Sequence, residues 1–399
     1  MGLFRHDTDQ YRCGAIVDIG SGSVGVAIVV TNKIEKKLDV VWSYREYMLI
    51  KSEQDLETLV REISVTIMNA MLELSNGGLK ALREFHAHMD IEEIQVALSA
   101  PWSYTVTKNI NYKDDKPFNV TKPLIEELVE TARKETMSKM LDGKLIEDLG
   151  LRIINEATVQ VRLNGYAVDD PIGNICKSLS LSHIHEVAKE KIVLTLEEAH
   201  NKLFPRTRLH MYSFMYLYYE VLKHLYPDTT EVCLIDVTNE ATEIGIVREN
   251  VLQHTTHIPL GIYTLARTVA DSCSIPKEEA LSIIKDESGA ILKAYSEEKR
   301  RAITEVFAAY EAAVAKLFAD TGDMLSIPRS LFLHTDKNTE PFFSEHLRFA
   351  AKQATSIEHV VHLLTTELLG DRTMQDTALA LSIHYFYTGE RYVTPLYNL

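Results

Sequence analysis

The segment Asp18-Ile19-Gly20-Ser21-Gly22-Ser23 places an acid, two glycines and two hydroxyls between two apolar runs. Gly14 to Val17 lead in and Val24 to Val30 lead out, so the expected geometry is strand, tight turn, strand. Glycine has no Cβ, and a turn built on Gly20 and Gly22 lets backbone N–H groups and the hydroxyls of Ser21 and Ser23 approach a phosphate closely. The chain rebounds into a strand, whereas a P-loop or a dinucleotide fingerprint delivers its phosphate to a helix N-terminus. A plain hairpin with a glycine turn is the alternative reading.

The same grammar recurs further along. Glu231 to Ile235 reads as a strand, ends in Asp236, turns through Val237 to Glu243 and rebounds as Ile244-Gly245-Ile246-Val247. Two such hairpins can face each other across a cleft and hold a nucleotide's phosphate tail with its Mg²⁺. Magnesium keeps several waters and needs only one or two carboxylates, which makes Asp18 and Asp236 its candidate ligands. Thr238, Asn239 and Thr242 are the candidate phosphate contacts of the second turn.

Several elements must hold these hairpins in place. Ser52 and Asp55 can cap a helix whose apolar positions run from Leu56 to Leu74 and which Asn76-Gly77-Gly78 should stop. Ile94 to Ser99 reads as a strand ended by Pro101, and Thr121 caps a helix with Pro123 in its first turn. Alternating runs at Tyr104 to Tyr112, Leu151 to Leu163 and Ser178 to Ala188 suggest strands. Met211 to Leu225 reads as one aromatic-rich helix buried between domains, and residues 276 to 323 as helical almost throughout. His183-x-His185 and His254-x-x-His257 read as strand-edge polar groups, because neither pair has a cysteine or third histidine at ligand spacing.

Composition narrows the function classes. The chain has 399 residues, of which 46% are hydrophobic, enough for two to three domains with a large core. A formal charge of −15 excludes non-specific binding to nucleic acid and to anionic lipid. No apolar run is long enough to span a bilayer, and charged residues interrupt the N-terminus where a signal core would lie. The four cysteines, Cys13, Cys176, Cys233 and Cys273, form no Cys-x-x-Cys pair and read as thiols of a cytoplasmic protein.

With these motifs the chain resembles the actin-like ATPase superfamily, whose phosphate hairpins read Asp-x-Gly-[Ser/Thr] and Asp-x-Gly-Gly-Gly-Thr-x-[Asp/Glu]. Asp18 to Ser23 match the first. Asp236 and Glu243 fall in frame with the second, Thr242 comes one position late, and Thr238-Asn239-Glu240 replace the glycine run. These side chains would crowd the phosphate, and Glu240 would set a negative charge beside it. The nearest likeness within the superfamily is to the FtsA and PilM branch. Met1-Gly2-Leu3-Phe4 before the first hairpin is similar to a PilM opening. Ile258-Pro259-Leu260-Gly261-Ile262 is similar to the branch's Pro-x-Gly-Gly segment, which makes Gly261 a candidate nucleotide contact. Asp376 to Leu381 is similar to the closing helix beneath the nucleotide, and Ser330-Leu331-Phe332-Leu333 to the adenosine-side strand, here followed by His334-Thr335-Asp336-Lys337 without a glycine.

The resemblance implies an α/β fold with duplicated actin-like (ribonuclease H-like) domains. The first half would comprise 10–89 and 206–228 with an α+β insertion at 90–205; the second, 229–268 and 325–393 with a helical subdomain at 269–324. It further implies a cytoplasmic PilM-like scaffold of a type IV pilus or related secretion assembly, with ATP and Mg²⁺ binding weak or lost, and no assignable catalytic residue. Its partner would be the cytoplasmic N-terminal tail of a bitopic, PilN-like membrane protein, with self-association as a further contact. The short stretch from Thr388 to Leu399 leaves no room for the amphipathic membrane helix of FtsA, so the expected membrane link is through the partner. An FtsA-like division filament protein and an active ATPase or small-molecule kinase of the same fold are the alternatives.

Overall fold

The computed structural model describes residues 10–49, 55–142, 150–286, 289–321, 327–336, 339–369 and 374–392. Ser52, Lys337, the Met1 to Phe4 opening and the segment after Tyr392 lie outside them. The first half begins with three antiparallel strands, β1 (Tyr11–Ile19), β2 (Ser23–Asn32) and β3 (Lys37–Tyr47), joined by β4 (Glu93–Leu98), which runs parallel to β1. Next come four strands of a separate antiparallel sheet: β5 (Ser103–Asn119), β6 (Leu151–Leu163), β7 (Tyr166–Ala167) and β8 (Ile175–Lys189). They pack in the order β5-β8-β6-β7 beside the Lys122–Asp142 helix. The chain then returns to the first sheet with β9 (Arg208–Ser213), giving the order β3-β2-β1-β4-β9.

The second half repeats that plan with β10 (Val232–Val237), β11 (Thr242–Arg248), β12 (Val251–Ile258), β13 (Ser330–Thr335) and β14 (Val360–Leu363), in the order β12-β11-β10-β13-β14. Each sheet is therefore an antiparallel meander with two parallel strands added beside its first strand. Parallel neighbours need crossovers of a dozen residues or more, and helices supply them. The Ile262–Cys273, Glu297–Ala319 and Glu340–Thr355 helices bury their apolar stripes on the second sheet in one contiguous core. In the first half the Leu56–Glu73 and Glu190–Leu203 helices play that part.

Between the halves lies the Phe214–Leu225 helix, capped by Ser213, whose hydroxyl accepts the Tyr216 N–H at 3.2 Å. Residues 211–213, whose aromatic content reads as the start of that helix, belong instead to β9, because Val96, Ala97 and Leu98 of β4 supply parallel ladder partners for Met211, Tyr212 and Ser213. The Asn76-Gly77-Gly78 stop also behaves differently. The helix passes through a π-turn over Leu74–Gly78 and continues to Phe85. A Cβ on Gly78 would sit 3.1 Å from the Trp42 ring, so this glycine provides clearance for an indole and does not end the helix. Among the described residues, no helix is long and apolar enough to cross a membrane.

Candidate functional site

The two hairpins meet tip to tip. Asp18 stands near the end of β1 opposite Gly25 of β2, and Asp236 near the end of β10 opposite Glu243 of β11. Ser21 joins the turns. Its hydroxyl donates to Thr238 Oγ1 at 2.8 Å and accepts the Glu240 backbone N–H at 2.7 Å. Asn239 lies against Gly22, where an added Cβ would come within 2.8 Å of it, and donates to Asp336 Oδ2 at 3.0 Å. The Gly20 carbonyl accepts the Trp102 indole N–H at 2.9 Å. Asp18, Ser21, Thr238, Asn239 and Asp236 are all buried.

Each acid at the base of this junction carries an internal cation. Arg45 of β3 gives Nη2 to Asp18 Oδ2 at 2.6 Å, Nη1 to Ser23 Oγ at 2.9 Å, and both Nε and Nη2 to Asp376 at 2.5 and 2.9 Å. Asp376 in turn caps the closing helix, Thr377–Tyr392, by accepting the Leu379 N–H at 3.0 Å. Burial works against the Asp376 charge, yet Arg45 and the Leu379 N–H outweigh it and hold this carboxyl below its usual range. Asp18 is more deeply enclosed, and burial pushes its carboxyl up against the pull of Arg45.

On the other side His334 of β13 meets Asp236 Oδ1 through Nδ1 at 2.7 Å. Burial opposes protonation of His334, but the hydrogen bond and charge of Asp236, with Asp336 and Asp18 nearby, raise its pKa to about 9. Asp336 goes up to about 7, because burial outweighs the attraction of His334 and Arg45. At neutral pH the junction therefore holds a fixed guanidinium and an imidazolium among its acids.

The remaining sequence-predicted residues stand elsewhere. Thr242 Oγ1 donates to Leu260 O at 2.7 Å and meets the Tyr310 hydroxyl at 3.0 Å, inside the second half's core. Gly261 packs so tightly under the second turn that a Cβ would lie 2.4 Å from Thr238 O; Ile262 N and Tyr263 N donate to Thr238 O and Asn239 O. Glu240 does not project its charge toward a phosphate as its position suggests. It turns to the Ile262–Cys273 helix, where Arg267 grips it with both terminal nitrogens, one at 2.8 Å. Sequence reasoning missed Arg45, His334 as a cation and Asp376 as a partner.

Comparison with known proteins adds the fold. No family model matches the sequence, and no curated protein matches it. The structure is similar to a solved chain of a PilM–PilN type IV pilus biogenesis complex, with a TM-score of 0.58 at 12% identity, over 94% of this chain and 98% of that one. The chain has the actin-like ATPase fold. It is also similar to the ethanolamine utilization protein EutJ from Carboxydothermus hydrogenoformans (TM-score 0.43, 14% identity, 94% and 90% covered). A Bacteroides thetaiotaomicron protein with actin-like ATPase fold gives 0.40 at 9% identity, with 94% and 97% covered. The expected class, an α/β actin-like fold, is borne out, and the structure builds it from two mixed five-stranded sheets plus an antiparallel sheet.

Proteins of the actin-like ATPase fold generally bind ATP with Mg²⁺. The hairpins of this chain do not fit that group as they stand. Among the turn donors, Gly20 N, Thr238 N and Glu240 N are already bonded to Ser23 O, Ala241 O and Ser21 Oγ. The buried atoms left without a partner here are Asp18 Oδ1, Asp236 Oδ2 and Asn239 Oδ1. All three are acceptors and offer a phosphate oxygen no donor, although the two carboxylate oxygens would suit Mg²⁺. Among the described residues, the one set of three or more His, Cys, Asp or Glu donors within 4.8 Å lies elsewhere, though Mg²⁺ needs only one or two carboxylates.

Proposed function

We propose that this chain is a PilM-like scaffold of a type IV pilus or related secretion assembly whose function does not depend on nucleotide. The observation that carries the reading is the locked junction: Ser21 bridging Thr238 and Glu240, with Arg45 and His334 in the places where a cation would serve the two acids. A fold that opens and closes on ATP needs a gap between its hairpins, and here side chains fill it. The likeness to a chain of a PilM–PilN type IV pilus biogenesis complex supports a partner of that class; in this reading the partner is the short cytoplasmic tail of a bitopic membrane protein and holds the scaffold at the inner face of the membrane.

The reading is tested in two steps. Calorimetric titration of ATP with Mg²⁺ into the purified protein should give no binding heat at millimolar nucleotide. Capture from solubilised membranes should recover a protein with a short cytoplasmic N-terminal tail, in equal yield with and without ATP. Micromolar ATP binding that Asp18→Ala abolishes would overturn the nucleotide-independent scaffold, and turnover of ATP on adding a small metabolite would replace it with a kinase.

A further inference from the structure

The inserted sheet brings together three side chains that the sequence keeps apart. His183 and His185 alternate along β8 and so share one face, and Glu156 of β6 pairs directly opposite His185. One donor atom from each of the three lies within 4.8 Å of the other two. Their rings pack edge to face with centroids 4.8 Å apart, and both histidines are buried, with 4% and 0% exposure.

Each ring is held at one nitrogen and unpartnered at the other. Nδ1 of His183 meets Thr158 Oγ1 at 2.9 Å, and Nδ1 of His185 meets Glu156 Oε1 at 2.6 Å. The two Nε2 atoms are buried without a hydrogen-bond partner. A buried polar atom left unpaired is expensive, and a protein keeps two such atoms side by side only with compensation. At His183, a ring fixed at Nδ1 by a hydroxyl with Nε2 free is also how metal-binding histidines are oriented; at His185 the carboxylate on Nδ1 is itself one of the three donors. Glu156 is the half-buried side of the cluster, where Arg133 lies 3.5 Å from its Oε2.

We propose that His183, His185 and Glu156 form a binding site for one zinc-class divalent cation within the inserted sheet, with its fourth position toward solvent on the Glu156 side. Two imidazoles and a carboxylate are a donor set that zinc accepts at about 2.0–2.2 Å, with the remaining position left to water. Oxygen-seeking Mg²⁺ and Ca²⁺ are excluded by the two nitrogens. The ion would tie β6 to β8 and displace the weak contact with Arg133.

The test uses untagged full-length protein and zinc chloride alone. Calorimetry should show one equivalent bound with micromolar or tighter affinity, and cobalt chloride should give the visible bands of a four-coordinate nitrogen-liganded ion. His185→Gln and Glu156→Gln should each weaken binding by about tenfold or more. His254→Ala, in the other histidine pair, should leave it unchanged. If a variant fails to fold, histidine nitrogen chemical shifts of the wild type decide: His183 and His185 must both move on adding zinc. Absence of binding at sub-millimolar zinc, unchanged shifts at these two rings, or equal binding by the His185→Gln variant would overturn the site.

Discussion

The two halves solve the same electrostatic problem from opposite sides. In the first, Asp18 of β1 faces Gly25 of β2, and Gly25 faces Arg45 of β3. In the second, Asp236 faces Glu243, and Glu243 faces His257. The difference lies in the middle residue. Gly25 is bare, and a Cβ there would come 2.5 Å from Arg45 Nη2, so the guanidinium crosses β2 to reach Asp18. Glu243 fills the corresponding place, and burial beside Asp236 pushes its carboxyl well above the usual range. No cation crosses there. Asp236 takes its cation from the parallel neighbour instead, through His334, at the register position that Ala97 occupies beside Asp18. One half thus carries a permanent cation and the other a titratable one, so the pH-dependent cation belongs to the second half.

Breaking the permanent pair should have the largest effect. Arg45→Met leaves Asp18 buried and Asp376 half-buried with no counter-ion, and removing one partner of a buried pair costs about 3–5 kcal/mol. Urea unfolding should show this as an early transition of the first half. A loss below about 1 kcal/mol, the size of an exposed pair, would mean that the acids never depended on Arg45.

His334→Asn should cost somewhat less, about 3 kcal/mol, from a pKa raised from 6.5 to about 9. The sign follows from which state holds the proton. A raised histidine stabilises fully below its unfolded value of 6.5, and that contribution is lost as pH rises through about 9. Asp336, raised from 3.8 to about 7, also favours the protonated fold and adds a decline across that lower window. Wild-type stability should therefore fall from acid pH toward pH 9, and His334→Asn should flatten the upper part of the fall. Denaturation midpoints across that range check it; an unchanged slope between pH 7 and 9 would assign the proton elsewhere.

Gly25→Ala sharpens the comparison at intermediate cost. The methyl must push Arg45 off Asp18, an overpacking penalty of about 1–3 kcal/mol. Because the penalty acts through that pair, it should shrink in an Asp18→Asn background, with a coupling of about 0.5–3 kcal/mol in the double-mutant cycle. Additive costs would show that Gly25 is there for packing against Leu379, its other close neighbour.

The hairpins were legible because strand, acid and turn are local patterns, and their repetition pointed to two like halves. The cations were not. Arg45 lies on an alternating strand with no motif around it, and only the cross-strand register through Gly25 aims it at Asp18. His334 stands where the resemblance implies an adenosine-side glycine, so the sequence reads as a loss where the fold has a substitution. Glu240 misleads in the other direction, since its partner Arg267 lies one helix away. Residues 211–213 were absorbed into the following helix because aromatic residues suit both strand and helix, and only pairing with β4 separates them.

The smallest effect is expected at the contact that closes the junction. Ser21→Ala removes the bond to Thr238 and the acceptor for the Glu240 N–H, leaving a buried donor unpaired at a cost of about 1–3 kcal/mol. Ala fits the turn, so the strands on either side should keep their pairing. Because Arg45 and His334 stay on the acids when Ser21 is removed, ATP with Mg²⁺ should remain unbound. Hydrogen exchange should instead quicken at Glu240 N–H alone. Micromolar ATP binding by Ser21→Ala would show that the lock is a single latch over a working cleft, and that the internal cations give way when nucleotide arrives.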